Sequence, residues 1–431
     1  MSLEQIIEAD LTWTGEAFEP GVRIKVNEKG VITEVGVFED AVTTRLAGRA
    51  LLPGFVNAHS HAFQRGLRGL GESFPKGVGS FWTWREAMYD LVERLDEKLI
   101  YELSTQAFRE MLASGITTVG EFHYAHHDAS ESGFAFDEII LKAAAEVGIR
   151  IVLLEAYYET GGIGKPLERG QKRFATRSLD EYWAQMDRLE AMIDTSMQSL
   201  GVVAHSIRAV PRDTLIALHE ESRKRGLVFH MHVEEQPREI EDCLDAYHQT
   251  PMAIINESLS VDPRFTSVHC THTAESDLKE YIEQGGNVCL CPLTEANLGD
   301  GLANVPLLMR EGGHICIGTD SNSRLCFLEE MRLLEYGQRL RHQERGVCAA
   351  DDGKLGAPLL TMATMNGARS LGLKAGRIAK DNVADLVSID LEVPCLQRWE
   401  ASTLLEGIIL GCGNDVISEV CVGGTWHRTR V

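Results

Sequence analysis

Positive charge is scarce in this sequence, and membrane-spanning apolar runs are missing. The 431 residues carry 42 Lys and Arg against 64 Asp and Glu, which gives a formal net charge of -22. Such a surface repels nucleic acid and anionic membranes, so neither is expected as a partner. An anionic small molecule would need a local cluster of arginines or lysines. No leader pattern is visible, and ten cysteines lack a framework spacing, so we expect a cytoplasmic protein with reduced, buried thiols.

Short apolar runs alternate with longer amphipathic stretches from residue 51 onwards. The apolar runs predict buried parallel strands and the amphipathic stretches predict helices. Eight such units describe a (β/α)8 barrel of the TIM type, in the α/β class. The predicted strands are 51–57, 116–122, 149–155, 200–205, 226–232, 264–269, 286–291 and 314–319. The clearest helical patterns are 101–114, 178–193, 214–226 and 275–286.

The two ends of the chain have a different pattern. Residues 1–50 and 376–431 contain short alternating segments separated by Gly and polar turns, which are typical of antiparallel strands. We expect them to combine into one small β-sandwich domain beside a metal-dependent catalytic barrel formed by residues 51–375. The unit spanning 57–116 is unusually long, which predicts an elaborated loop over the mouth of the barrel.

Groups that commonly bind metals follow the predicted strands at their C-terminal ends, where barrels of this type carry out chemistry. Side chains two apart on a strand share a face, so the first pair of histidines should converge. Each histidine taken alone is more often a hydrogen-bonded core residue than a metal ligand. Six such groups at one rim instead predict a catalytic metal site with a position open to water. They are His59, His61, His205, His232, His269 and Asp320.

Residues close to these six groups indicate the type of reaction and the number of metal ions. Glu235 follows the fifth strand, where it could carry a proton to a leaving nitrogen or simply stabilise a helix N-terminus. The segments 149–155 and 200–205 contain no lysine, so a carbamylated lysine bridging two metals is not expected. We therefore predict one divalent cation, with zinc as the best match to the donors and iron as a second option.

These motifs resemble the amidohydrolase superfamily, in order and over nearly the whole length. They are LPGFVNAHSH at 52–61, H-x-x-E at 232–235, SVHCTH at 267–272 and GTDS at 318–321. The resemblance implies a mononuclear aminohydrolase that uses metal-bound hydroxide. In that pattern the metal ligands are His59, His61, His232 and Asp320, and the catalytic residues are Glu235, His269 and Asp320. His269, rather than His272, aligns with the catalytic histidine.

Longer segments are similar to the formiminoglutamate deiminases of histidine degradation. They are HAFQRGLRGL (61–70), SFWTWREAMYDLV (80–92), GEFHYAHH (120–127), AHSIRAVP (204–211) and HVEEQPREIEDC (232–243). The resemblance implies hydrolysis of N-formimino-L-glutamate to N-formyl-L-glutamate and ammonia. Two arginines suit the two carboxylates of that substrate, although Arg85 could instead stack on a neighbouring tryptophan. The implied binding residues are Gln64, Arg85, Tyr124, His205 and Arg208.

Other functions stay open at this point. A related aminohydrolase could act on a guanine-, cytosine- or adenosine-like ring, in a pocket with aromatic walls and few arginines. A barrel retained only for binding or assembly would be expected to have lost some of its six strand-end groups, yet all are present. Barrels of this kind often pair, so we expect a homodimer. The native metal and the acceptance of the shorter formiminoaspartate are left open.

Overall fold

Two eight-stranded sheets organise the computed structural model, which describes residues 4–72 and 79–429. Both sheets are numbered together along the chain. The strands are β1 (Gln5–Trp13), β2 (Phe18–Glu19), β3 (Arg23–Val26), β4 (Ile32–Gly36), β5 (Thr44–Pro53), β6 (Phe55–Ser60), β7 (Ile116–His123), β8 (Arg150–Tyr157), β9 (Gln198–Ala204), β10 (Phe229–Val233), β11 (Phe265–His269), β12 (Asn287–Leu290), β13 (His314–Ile317), β14 (Leu386–Asp390), β15 (Ile417–Val422) and β16 (Thr425–Arg428).

The second sheet along the chain is the predicted parallel barrel. Strands β6 to β13 lie in chain order, each parallel to the next. A parallel bridge between Ser60 and Asp320 joins its two ends. Every residue of β6, β7 and β8 is buried, as expected where helices cover one face of a parallel sheet and side chains fill the other. The (β/α)8 prediction is confirmed.

The ends of the chain form the other sheet, in the order β16-β15-β14-β5-β1-β3-β4, with β2 paired to β1. The prediction of antiparallel strands is wrong at one place, because β1 and β5 run parallel. This is one mixed sheet beside the barrel. The division of the chain at residues 50 and 376 stays a prediction, and β5 continues in this sheet as far as Pro53.

The first predicted barrel strand, 51–57, is wrong. Residues up to Pro53 belong to the mixed sheet and the barrel strand begins at Phe55, so Gly54 stands between the two sheets. A Cβ at Gly54 would lie 2.2 Å from Thr117 Oγ1, and its backbone N–H donates to the Asp385 carbonyl at 2.8 Å. A continuous apolar run concealed this change of sheet, because burial on both sides removes the alternation that marks a strand end.

Helices occupy most of the connections between the strands. Their bounds are α1 (Phe81–Arg94), α2 (Glu97–Ala113), α3 (Ala135–Val147), α4 (Leu179–Glu190), α5 (Arg212–Lys224), α6 (Pro237–Tyr247), α7 (Pro251–Ser258), α8 (Glu275–Glu283), α9 (Pro292–Leu298), α10 (Val305–Arg310), α11 (Phe327–His342), α12 (Gly356–Ala363), α13 (Met365–Ser370) and α14 (Leu404–Gly411). The helix predicted from residue 101 begins earlier, because Asp96 accepts from the Leu99 N–H at 2.7 Å and caps it.

The long connection between β6 and β7 is largely helical. It contains a 3-10 turn at Ala62–Leu67, then α1 and α2. Residues 73–78, which fall within the predicted elaborated loop, lie outside the described residues. In the described ranges, no helix combines the length and the apolar character needed to cross a membrane.

Candidate active site

Three histidines and one aspartate from distant parts of the chain meet at the C-terminal rim of the barrel. One donor atom from each lies within 4.8 Å of the others. Asp320 Oδ1 is 3.3 Å from His59 Nε2 and 3.2 Å from His61 Nε2. His232 Nε2 lies 3.2 Å from His59 Nε2. The structure therefore brings together the four predicted metal ligands.

Backbone carbonyls orient two of these rings. His61 Nδ1 lies 2.7 Å from the Phe122 carbonyl oxygen, and His232 Nδ1 lies 3.0 Å from that of His205. Each Nδ1 must carry the proton to donate, so each Nε2 presents a lone pair to the cluster. Burial lowers the pKa of His59 to about 3 and that of His232 well below its ordinary value, which keeps both rings neutral.

Asp320 supplies the negative charge. Burial would raise the pKa of its carboxyl, but His59 and His61 hold that pKa well below the ordinary value. Three converging imidazole nitrogens beside a carboxylate repel one another unless a cation lies between them. Neutral imidazoles with one carboxylate are a donor set that Zn²⁺ accepts. The residues present thus fit a divalent metal ion.

The backbone around Asp320 is unusual and is held by β6. Asp320 has a φ of 45°, and its N–H donates to the His59 carbonyl at 3.0 Å. The neighbouring Gly318 passes so close to β6 that a Cβ there would lie 2.7 Å from His59 Cβ. The contact that joins β6 to the end of β13 therefore both closes the barrel and positions Asp320.

His269 and Glu235 lie beside the cluster. His269 Nε2 is 3.9 Å from both Glu235 Oε1 and Asp320 Oδ2, while its Nδ1 is 3.4 Å from Glu295 Oε1. Burial alone would lower the pKa of His269, but these three carboxylates raise it to about 10. This ring thus favours the charged form, unlike His59 and His232. Of the two histidines offered by the sequence, His272 instead points Nε2 at the Asp300 carbonyl, 2.7 Å away.

A cavity of about 250 Å³ opens from the cluster towards solvent. The five residues predicted to bind substrate all line it, namely Gln64, Arg85, Tyr124, His205 and Arg208. Gln64 Nε2 donates to the Tyr124 hydroxyl at 2.7 Å, so these two side chains support each other. Burial and the nearby Arg208 lower the pKa of His205 well below its ordinary value, and that ring is therefore neutral.

Arg208 is the most deeply placed cation in this cavity. Its side chain is 13% exposed, and its NH2 group is 3.7 Å from Glu235 Oε2. Its Nε is 3.9 Å from Glu239 Oε2, and no acceptor in the described residues completes a hydrogen bond to that nitrogen. Burial raises the pKa of Glu239 to about 7, although Arg208 opposes the shift. Arg208 thus retains an unused donor within the pocket.

Arg85 and Arg238 lie against aromatic side chains. The Arg85 guanidinium lies 4.8 Å from the centroid of the Trp82 ring and 5.3 Å from that of Tyr89. The alternative role considered for Arg85, stacking on a tryptophan, is therefore present in the structure, and the same residue lines the cavity. Arg238 also lies 4.8 Å from the Trp82 centroid. Cation–π contacts leave the guanidinium N–H groups available to an anion.

Sequence reasoning missed several residues of this site. Glu295, Glu239, Arg238 and Tyr158 either line the cavity or contact a residue that does. Three of them lie on helices that follow barrel strands, where the side-chain direction depends on how the helix is rotated. Arg238 and Glu239 both lie within the segment 232–243 that resembles the formiminoglutamate deiminases, and Arg238 also places a positive charge in an acidic chain.

Comparison with known proteins agrees with this geometry. Residues 50–426 match the model of the amidohydrolase family. The chain belongs to that family. It is 37% identical over 421 residues to the formimidoylglutamate deiminase of Pseudomonas aeruginosa, covering 95% of this chain and 92% of that protein.

Two solved structures are similar over almost the whole chain. An amidohydrolase from Brucella melitensis has a TM-score of 0.87 and 31% identity, covering 99% of this chain and 95% of the other. An adenosine deaminase from Xanthomonas campestris with bound zinc has a TM-score of 0.82 and 24% identity, covering 98% and 92%. The second likeness concerns the fold alone.

Proposed function

We propose that this protein hydrolyses N-formimino-L-glutamate to N-formyl-L-glutamate and ammonia. The observation that carries the proposal is Arg208, a buried cation with an unused donor in the same cavity as the cluster of His59, His61, His232 and Asp320. A dicarboxylate substrate would satisfy that donor while placing its formimino carbon against the cluster. The similarity to a formimidoylglutamate deiminase over 95% of this chain supports the same substrate.

Binding is assigned to the arginines and the neutral polar side chains that line the cavity beside the cluster. Arg208 and Arg85 hold the two carboxylates, because guanidinium groups match the geometry of carboxylates and stay charged at neutral pH. Gln64, Tyr124 and His205 add neutral hydrogen-bonding groups around the substrate. Tyr124 is suited to this role because burial raises the pKa of its hydroxyl well above the ordinary value and keeps it protonated.

Chemistry is assigned to the cluster. A divalent cation held by His59, His61, His232 and Asp320, for which we propose zinc, would supply a water of lowered pKa and polarise the substrate. The two oxygens of Asp320 have different surroundings. Oδ1 faces His59 and His61, whereas Oδ2 faces His269. We assign Oδ1 to the cation and Oδ2 to the proton taken from the attacking water.

Proton delivery completes the reaction. Addition of water to the formimino C=N bond forms one C–O bond, and cleavage of the C–N bond releases ammonia once the leaving nitrogen is protonated. Glu235 and Asp320 are assigned to that protonation: Asp320 returns the proton taken from the attacking water, and Glu235 carries the second proton from the new hydroxyl group to the leaving nitrogen. Glu235 is suited to this role because its Oε1 lies beside His269 and its Oε2 beside Arg208. His269 orients the attacking water and offsets the charge of Glu235 and Asp320.

The location and the assembly are part of the same proposal. Nine of the ten cysteines are buried free thiols and only Cys395 is exposed, which favours a reducing compartment such as the cytoplasm. A homodimer remains a prediction, which light scattering on the purified protein would test.

The test measures ammonia release by purified protein of known metal content. N-formimino-L-glutamate is compared with N-formiminoaspartate, N-formiminoglycine, adenosine, guanine and cytosine. The glycine compound lacks the second carboxylate and is the matched control for the paired arginines. We expect the glutamate compound to give the highest kcat/KM, with the glycine compound lower by about 100-fold or more. Turnover of a ring compound in preference to formiminoglutamate would contradict the proposal.

A further inference from the structure

A second cluster of histidines and carboxylates lies on the opposite side of β7 from the cavity. Phe122 and Tyr124 face the barrel interior, since the Phe122 ring centroid is 4.2 Å from that of His232 and Tyr124 lines the cavity. Successive side chains of a strand alternate in direction, so His123 points outwards to the helices. There it meets His126, Asp137 of α3 and Glu155 of β8, and each of the four is at most 1% exposed.

Three of these donors have the spacing of a metal site, because one donor atom each of His123, His126 and Asp137 lies within 4.8 Å of the other two. Asp137 Oδ1 is 3.1 Å from both His123 Nε2 and His126 Nδ1, and Glu155 Oε1 is 3.2 Å from His126 Nδ1. Tetrahedral zinc with bonds of about 2.0 Å to nitrogen and oxygen separates its ligand atoms by about 3.3 Å. The corresponding separations at the active-site cluster are 3.2 to 3.3 Å.

Hydrogen bonding within the cluster is incomplete. His126 Nε2 lies 2.7 Å from the Ala156 carbonyl and must donate to it, so His126 Nδ1 faces two carboxylates. A proton on that nitrogen would bond to Asp137, leaving both oxygens of Glu155 without a hydrogen-bond partner in the described parts of the chain. Buried carboxylates are rarely left in that state. A cation bound by Asp137 would also offset the charge of Glu155, which lies beside His126.

We propose that His123, His126 and Asp137 form a second divalent-metal site, occupied by Zn²⁺, with a structural role, and that Glu155 is the carboxylate beside it. Protein atoms supply the three donors, the Glu155 carboxylate lies beside His126, and the site is buried, as closed structural sites are. Gln185 Nε2 of α4 donates to Asp137 Oδ2 at 2.7 Å, in the way that outer hydrogen bonds orient metal ligands.

The position of this site connects it to the active site. The ion would join the end of β7 to α3, beside β8. That strand end carries the Phe122 carbonyl that orients His61 and is followed by Tyr124. The second site would therefore hold the strand that positions one active-site ligand and one binding residue.

The decisive measurement is metal content per chain in protein isolated from zinc-supplemented culture. We expect two equivalents in the unaltered protein. A His59→Ala/His61→Ala variant should retain one, and His126→Gln should also retain one. His127→Gln is the matched control, because both ring nitrogens of that neighbouring buried histidine already have partners within the fold, and it should keep two.

Anomalous diffraction at the zinc edge uses crystals of the unaltered protein, so its result does not depend on whether a variant folds. A peak between His123, His126 and Asp137 would support the site, whatever the protein's activity. One equivalent of metal, with a single peak beside Asp320, would overturn it.

Discussion

Replacement of Arg208 by methionine removes the cation on which the proposed substrate specificity depends. The side chain is 13% exposed, so bulk water and salt screen its charge only weakly. Methionine retains most of the apolar volume, which limits any change of packing. The substitution therefore tests the charge and the donors of Arg208 rather than the shape of the pocket.

The expected size follows from the burial of this residue. Removing one member of a buried, hydrogen-bonded charge pair costs about 2–5 kcal/mol. At about 1.36 kcal/mol for each factor of ten, kcat/KM should fall by about 30-fold to about 5,000-fold. KM should rise more than kcat falls, because substrate carboxylates are bound in the ground state as well as in the transition state. A smaller loss of kcat should follow because Arg208 no longer offsets the charges of Glu235 and Glu239.

Steady-state ammonia release measures both constants for R208M and two companions. R208K keeps the charge but loses the planar guanidinium, so its kcat/KM should lie between those of R208M and the unaltered protein. R85M should lose less, since Arg85 lies over the Trp82 ring towards the outside of the cavity. If kcat and KM of R208M both stay within about threefold of the original in a protein with an unchanged circular dichroism spectrum, Arg208 does not bind substrate.

Three further predictions concern chemistry, metal and stability. D320N should keep part of its metal yet lose about 10³-fold or more in kcat, because an amide cannot accept the proton; near-normal turnover would refute that role. Dialysis against a chelator should abolish ammonia release, and Zn²⁺ should restore it; an unaffected rate would exclude a metal-dependent reaction. D385N should lower the free energy of unfolding by about 3 kcal/mol in urea titration, because Asp385 is 1% exposed and pairs with Arg150 at 3.0 Å; a loss below about 1 kcal/mol would contradict this.

The sequence predicted the site best where strands determine side-chain position. His232 and His269 lie on parallel strands, and consecutive parallel strands end at one rim, so their meeting follows from topology. Asp320 follows β13 directly and is fixed by backbone hydrogen bonds to His59. These positions do not depend on helix rotation, so they could be predicted from the ends of the strands.

Residues on helices could not be located in that way. Glu239 lies in the first turn of α6, and its approach to Arg208 depends on where that helix begins and how it rotates against the barrel. Glu295 reaches His269 from α9, a helix of seven residues with too little periodicity to orient it from sequence. The break at Gly54 was hidden for a related reason, since the apolar run continues through it while the chain passes from one sheet to the other.

The scarcity of positive charge over the whole chain does not prevent binding of a dianion in this pocket. Electrostatic interactions in physiological salt are screened over about 8 Å, so charges on distant surfaces contribute little inside the cavity. The electrostatic potential inside the cavity is set by nearby charged groups: Arg208 is buried there, and Arg85 and Arg238 flank Trp82. Glu235 and Glu239 stabilise the buried Arg208 in the free protein at distances of 3.7 and 3.9 Å, too long for strong hydrogen bonds. Arg208 is thus kept charged by its neighbours while its donors remain open to a substrate carboxylate.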